Sequence, residues 1–176
     1  GQAEARDVVN SVRAARNVPS ADAGSRFAVW GHSQGGHSAL WTGTLAHTLA
    51  PELDLVAVAA AAPAAELVPM MGAQWRGPVG WVIGPEVVES WPDIDPSLPI
   101  SVVSDAGRHN AKRLANECIS TSALEALARS LPGESFFAGD PATQPKWRAI
   151  AQEQTPSPLP SSLPVFIAQS TNDTVV

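Results

Sequence analysis

The sequence has little cysteine, little charge and no long hydrophobic run. A single cysteine, Cys118, excludes an internal disulfide and any cysteine-rich metal site. No run approaches the roughly 18 apolar residues of a membrane span, so none is predicted. Only 16% of the residues are charged and the net charge is −6. This balance lacks the basic surface of a nucleic-acid-binding protein, so a nucleic-acid partner is not expected.

Apolar residues, in contrast, are plentiful. They make up 44% of a chain of 176 residues, and the mean hydropathy is close to zero. This length and composition are those of about one ordinary globular domain. A chain with this much apolar material buries enough of it to offset the entropy of ordering, so a disordered chain is excluded.

Charge is unevenly distributed along the chain. Residues 27–65 carry only two charged side chains, whereas residues 66–163 carry eleven acidic and seven basic ones and twelve of the sixteen prolines. The pattern indicates a buried core interrupted by a long polar insert. We therefore predict an α/β core over 1–65, an inserted and mainly helical cap or lid over 66–162, and a core strand with an acid-bearing loop over 163–176.

Short apolar runs alternate with helical periodicity in the predicted core. Apolar residues at helical spacing predict a helix over Glu4–Arg16. The runs at Arg26–Trp30, Leu53–Ala60 and Pro164–Gln169 lack strict alternation, which is typical of parallel strands that are buried on both faces. His37–Leu49 is predicted to be the helix that crosses over between the first two strands. These elements predict an α/β fold with a parallel sheet and flanking helices.

From the start of the insert to Gly107, the apolar residues follow no regular helical or strand spacing, because proline and glycine interrupt the pattern. Beyond that point two helices are predicted, over Asn110–Glu117 and Ala123–Arg129. Ser122 followed by Glu125 has the spacing of a capping box and places the second helix start at the serine.

One motif in the core carries chemistry, the sequence Gly31-His32-Ser33-Gln34-Gly35. It matches Gly-x-Ser-x-Gly and lies between a predicted strand and a predicted helix, which is the context of a nucleophile elbow. Ser33 would stand at a sharp turn, where Gly31 and Gly35 avoid steric clashes. The backbone N–H of Gln34, at the helix start, would donate to an oxyanion. A glycine-rich turn without chemistry, or a phosphate-binding turn, is the alternative, although the lysine of a phosphate loop is missing.

A serine nucleophile needs an acid and a base, and in this architecture they follow in that order along the chain. Asp173 lies just beyond the third strand, at the sheet edge where catalytic groups collect, and is the predicted acid. The alternative is an ordinary turn aspartate within Thr171–Thr174. Three other acidic residues are weaker candidates because none follows a core strand so directly: Glu66, Asp105 and Asp140.

No histidine follows Asp173. His32 is too close to Ser33 to take its proton, His37 has the position of a packing or hydrogen-bonding residue, His47 lies near a helix end, and His109 lies in the insert. The base is therefore expected to lie beyond Val176, and a second oxyanion donor is expected before the first helix.

With these features established, three segments resemble the secretory lipase family, which is of the lipase A type among the α/β-hydrolases: Val29–His37, Leu53–Pro63 and Phe166–Val176. The resemblance implies a partial α/β-hydrolase fold and a carboxylic-ester hydrolase (lipase or esterase) with Ser33 as nucleophile and Asp173 as triad acid. It also implies a helical cap at the position of the insert and a secreted or cell-envelope protein. The missing N- and C-terminal segments of the same enzyme would be partners of the chain.

The expected substrate is a small-molecule ester or lipid, and no cofactor or metal is expected. Fold alone does not separate an esterase from a peptidase or an acyltransferase. A non-catalytic fragment or complementation half is the alternative of a different class, because the triad histidine is missing. Eight apolar insert residues either line an acyl pocket or, as we favour, pack the cap: Val68, Met70, Met71, Trp75, Trp81, Val82, Ile83 and Trp91. Cys118 is either an inert thiol or the partner of a cysteine elsewhere.

Overall fold

The computed structural model describes residues 1–176 as seven α-helices, three β-strands and four short 3₁₀ turns. In chain order the helices and strands are α1 Gln2–Arg16, β1 Arg26–His32, α2 Gln34–Leu49, β2 Asp54–Ala61, α3 Leu67–Gln74, α4 Pro78–Ser90, α5 Asp105–Leu114, α6 Ile119–Ser130, α7 Pro145–Gln154 and β3 Val165–Ala168. None of the helices combines the length and the apolar character needed to cross a bilayer.

The chain forms two compact units. The sheet unit comprises Gly1–Glu66, Gln154–Thr174 and Val176, and the helical unit comprises Leu67–Glu153 and Val175. The insert was predicted to extend to residue 162, whereas the structure returns the chain to the sheet unit at Gln154. The cause is local packing, because Leu159 and Leu163 lie against the buried core of the sheet unit.

The sheet has the order β1-β2-β3, and both strand pairs are parallel. This confirms the predicted parallel α/β arrangement. α1 and α2 supply the apolar side chains that cover one face of β1 and β2, whereas all four residues of β3 are exposed. Ala39 and Leu40 of α2 pack with Val58 and Ala60 of β2, and Val9 of α1 packs in a neighbouring cluster.

The other face of the sheet is exposed. Trp30 of β1 lies in register with Ala59 of β2 and Phe166 of β3, and Trp30 and Phe166 are 72% and 66% exposed. The prediction that these strands are buried on both faces is therefore wrong within these 176 residues. β1 instead alternates between exposed and covered side chains, because helices pack on one face only.

The helical unit has a core of its own, which is rich in aromatic rings. Trp81 meets Phe136 edge-on at a centroid distance of 5.4 Å, and Phe137 meets Trp147 in the same way at 5.8 Å. Such edge-to-face pairs add to the free energy gained by burying the rings. Of the eight apolar insert residues, Trp81 and Trp91 are core members, and four more pack against that core: Val68, Met71, Trp75 and Val82. Packing is thus the observed role of most of them.

Helices in this unit differ from those predicted. α3, α4 and α7 were not predicted, since prolines and glycines break their sequence pattern. The glycines of α4 serve close packing, because a side-chain carbon at Gly84 would lie 2.3 Å from the Phe136 ring. The predicted capping box is also wrong. α6 begins at Ile119, so Ser122 lies buried inside the helix and Glu125 pairs with Arg129.

Candidate active site

Ser33 occupies the single residue between β1 and α2. Its backbone has φ 55° and ψ −118°, a conformation that L-residues rarely adopt. A residue held in such a region costs about 1–3 kcal/mol, and such strain is concentrated at functional sites. The side chain is half-buried. The sharp turn predicted from the motif is therefore present at Ser33 itself.

Backbone hydrogen bonds hold this strained residue. The Ser33 N–H donates to Ala61 O at 3.0 Å, and the Ser33 carbonyl accepts from the N–H groups of His37 at 3.1 Å and Ala64 at 3.3 Å. Ala62, which also has a positive φ of 41°, donates to Ala168 O at 2.8 Å. Backbone hydrogen bonds therefore link the turn at Ser33 to the end of β2, and the end of β2 to the end of β3.

The two glycines of the motif are not equivalent. A side-chain carbon at Gly31 would lie 1.9 Å from Gly35 O, so only glycine fits there. At Gly35 such a carbon would meet nothing within 4 Å, so the predicted clash at this position is wrong. The second close approach lies at Gly36, where the carbon would lie 2.9 Å from Cβ of Pro63. Gly36, which directly follows the last glycine of the motif, was the sequence signal for this contact.

α2 begins directly after Ser33, so its N-terminus adjoins the turn. The first four N–H groups of a helix have no partner within the helix, and the helix dipole makes this end positive. α2 has 16 residues and no acidic residue in its first turn, so no carboxylate of its own offsets that charge. The Gln34 N–H directly after Ser33 can therefore donate to negative charge that develops on a group bound to the serine.

Asp173 lies in the loop that follows β3. Its Oδ1 accepts from the Val176 N–H at 3.1 Å, and its Oδ2 accepts from Nε2 of Gln169 at 3.2 Å. Because β1 and β3 are two strand spacings apart, the loops of Ser33 and Asp173 leave the same sheet edge roughly 10 Å from each other.

Two of the other acidic candidates have local partners in the helical unit, and the third follows a strand of the sheet. In the helical unit, Asp105 pairs with Arg108, and Asp140 accepts from the Ala142 N–H at 2.8 Å. Glu66 is exposed and lies five residues beyond the end of β2, the same number that separates Asp173 from the end of β3. Glu66 is therefore the alternative acid that the strand order allows, and Asp105 and Asp140 are not.

Two histidines of α2 are unsuited to act as the base. His37 is buried, and both of its ring nitrogens contact other groups at 2.8 Å. His47 is 14 residues beyond Ser33 along α2, which places it about 21 Å away at the opposite end of the helix. His32 is exposed at the end of β1, and His109 is exposed on α5 of the helical unit. The structure therefore places no histidine of the sheet unit between Ser33 and Asp173.

Comparison with known proteins identifies the family. The family model described as "Secretory lipase" matches residues 1–176. The chain belongs to the secretory lipase family. This confirms the resemblance inferred from the elbow and the two other segments. No curated protein matches the chain.

Solved structures of other proteins share the fold of this chain. Candida antarctica lipase A superposes with a TM-score of 0.68 at 18% identity, covering 96% of this chain and 41% of that protein. The same lipase in its closed state gives a TM-score of 0.66 at 19% identity, over 97% and 41%. The rice cell wall degrading esterase LipA from Xanthomonas oryzae, in a ligand-bound form, gives 0.76 at 19% identity, over 96% and 49%. The chain has a partial α/β-hydrolase fold and spans less than half the length of these proteins.

Proposed function

We propose that this chain carries the nucleophile and the acid of a serine carboxylic-ester hydrolase, a lipase or esterase. The observation that carries the proposal is the backbone of Ser33, held at φ 55° and ψ −118° between a strand and a helix N-terminus in a member of the secretory lipase family. A turn so strained and so fully hydrogen-bonded serves to expose one side chain at the sheet edge.

In the proposed reaction Ser33 Oγ attacks the ester carbonyl and forms an acyl-enzyme, with loss of the alcohol. The Gln34 N–H donates to the oxyanion that forms, and the positive end of α2 stabilises its charge. A histidine from outside the 176 residues takes the Ser33 proton and gives it to the leaving alcohol. Asp173 orients that histidine, and water then releases the acid product.

The roles of the helical unit and of secretion are further parts of the proposal. The helical unit stands in the chain at the position of the family's cap, and we assign it the shaping of the acyl site. The family description supports a secreted or cell-envelope protein that acts on a small-molecule ester or lipid.

The proposal is tested by covalent labelling of Ser33. Because the mechanism needs a histidine from outside the 176 residues, the full-length enzyme that contains them is treated with a fluorophosphonate probe, and the adduct is weighed by intact mass and located by peptide mapping. We expect one adduct, on Ser33, that Ser33→Ala abolishes. Ser38→Ala is the matched control, because Ser38 lies on the same helix and its hydroxyl only donates to Gln34 O at 3.0 Å.

Hydrolysis of a panel of esters and amides then separates an esterase from a peptidase or an acyltransferase. An ester preference at least tenfold above the amides supports the proposed activity. Absence of a Ser33 adduct in the full-length enzyme would contradict the proposal. It would favour the non-catalytic fragment, an alternative that the occupied ring of His37 and the remote position of His47 also support.

A further inference from the structure

The chain makes a second strained turn directly after β2, beside the turn at Ser33. Ala62 has a φ of 41°, in the left-handed region that side chains other than glycine rarely adopt. The next residue, Pro63, makes this conformation still less favourable, because a residue before proline prefers extended backbone. Such a conformation persists only where the surrounding structure determines it. The contacts around Ala62 therefore have to account for it.

The hydrogen-bond ladder between β1 and β2 ends at this turn. His32 is paired with Ala61, so the next pair in the same register is Ser33 with Ala62. In a parallel ladder a residue donates to the residue before its partner and accepts from the residue after it. The Ser33 N–H follows this rule, since it donates to Ala61 O at 3.0 Å. The Ser33 carbonyl would have to accept from residue 63, which is proline and has no N–H.

The turn at Ala62 supplies the missing donor. It brings the Ala64 nitrogen to 3.3 Å from the Ser33 carbonyl oxygen, one residue later than a continued ladder would. The Ala62 N–H itself still donates to Ala168 O at 2.8 Å and extends the pairing of β2 with β3. The Ser33 carbonyl thus has two donors, the Ala64 N–H and the His37 N–H of α2 at 3.1 Å. Because a carbonyl oxygen has two lone pairs, this acceptor is fully satisfied.

Pro63 also contacts the first turn of α2. The proline is buried, and a side-chain carbon at Gly36 would lie 2.9 Å from its Cβ and 3.0 Å from its Cα. The same turn of α2 carries the Gln34 N–H, the proposed oxyanion donor. Pro63 therefore packs against the helix turn that follows Ser33, in addition to removing a donor from the ladder.

We propose that Ala62 and Pro63 are positioning residues that set the backbone conformation of Ser33. Pro63 ends the ladder, so the Ser33 carbonyl is not drawn into the sheet. The left-handed turn at Ala62 then returns a donor, the Ala64 N–H, to that carbonyl. The inference rests on the proposed function for its purpose, since the residue held in place is the proposed nucleophile. Both residues act through Ser33 and not on the substrate.

The first test is the conformation of Ser33, which is measured without any need for activity. The carbon-13 chemical shifts of Ser33 Cα and Cβ report its φ and ψ, and they are recorded on the full-length enzyme that contains these residues. We expect Pro63→Ala to move both shifts, because a new N–H at position 63 lets the ladder extend to Ser33. Pro51→Ala is the matched control, since Pro51 is exposed in the connection before β2, and it should leave the shifts unchanged. Unchanged Ser33 shifts in Pro63→Ala would overturn the proposal.

The second test is the rate constant for reaction of Ser33 with the fluorophosphonate. We expect Pro63→Ala to lower this rate constant and the kcat for an ester about tenfold or more, with KM changed less than about twofold, because a displaced nucleophile loses rate and not substrate binding. Irreversible unfolding would reduce the amount of labelled protein and leave the rate constant unchanged. Pro51→Ala should react at the rate of the unaltered enzyme. The same rate for Pro63→Ala would contradict the proposal.

Substitutions at Ala62 separate the backbone conformation from the side chain, and they serve alone if Pro63→Ala does not fold. Glycine adopts a positive φ readily, whereas a β-branched valine does so rarely. We expect Ala62→Val to react as slowly as Pro63→Ala, and Ala62→Gly to react about fivefold faster than Ala62→Val or more. Equal rate constants for the two Ala62 variants would overturn the role of the left-handed turn.

The two tests separate the positioning role from the proposed hydrolase. If Ser33 does not react with the phosphonate even in the unaltered enzyme, the hydrolase function fails, and the carbon-13 shifts decide whether Pro63 sets the Ser33 backbone. If Ser33 reacts and Pro63→Ala changes neither its shifts nor its rate constant, the positioning role fails and the hydrolase function stands.

Discussion

At the scale of single residues, the elbow depends on one glycine more than on the pattern as a whole. Gly31 has no room for a side-chain carbon, since Gly35 O would lie 1.9 Å from it, whereas the space beside Gly35 is open. A backbone atom cannot swing aside as a side chain can. The two fixed glycines of the motif therefore have different physical roles, which their symmetry around Ser33 does not indicate.

We expect Gly31→Ala to lower the free energy of unfolding of the sheet unit by about 3 kcal/mol or more, because the clash involves backbone and must distort the turn. Gly35→Ala should be neutral or stabilising by about 0.5–1 kcal/mol, since alanine is the better helix former. Native-state hydrogen exchange of the β1 and β2 amides measures both. Equal effects of the two substitutions would contradict the assigned geometry.

At the scale of elements, local sequence predicted the sheet unit better than the helical unit. The strands were found because each is a short apolar run. Ser33 and Asp173 were predicted because a motif and a strand end mark them, and their catalytic roles stay predictions. α3 and α4 were missed because Pro69, Pro85 and the glycines that permit close packing resemble loop residues. The partners of His37 were missed for a different reason. Glu4 and Gln154 are 33 and 117 residues away from it, and no local pattern pairs residues so distant.

The contact between α1 and α2 should depend on pH through Glu4, whose folded pKa is lowered. A lowered carboxyl pKa contributes stability that is present above the unfolded value of about 4.3 and is lost as pH falls through the folded value. We expect Glu4→Gln to lower the free energy of unfolding by about 1–2 kcal/mol at pH 7 and by much less at pH 3. Hydrogen exchange of the α1 and α2 amides, measured at both pH values, gives the two free energies.

Asp7→Asn is the matched control for this prediction, because Asp7 is an exposed carboxylate on the same helix. Asp7→Asn should change the free energy of unfolding little at either pH. A Glu4→Gln cost that stayed constant from pH 7 to pH 3 would show that the glutamate acts through packing and not through its charge.

At the scale of the whole molecule, the exposed face of the sheet is the most apolar surface that the strands present. Trp30 and Phe166 stand on it in register with Ala59. Aromatic rings exposed on a sheet that also has open edges favour association between copies. The sequence could not indicate this, because an apolar run predicts that a strand is buried without specifying what buries it.

We therefore expect the 176-residue chain to self-associate, and the double variant Trp30→Ser with Phe166→Ser to shift it toward the monomer. Because both side chains are mostly exposed, the fold should survive the change with little loss of stability. Sedimentation velocity over a range of concentrations measures the association. The matched control replaces Leu124 and Leu131, which are 73% and 80% exposed in and just beyond α6 of the helical unit, with serine. If the Leu124 and Leu131 variant is monomeric and the Trp30 and Phe166 variant still associates, then association occurs through the helical unit and not through the exposed face of the sheet.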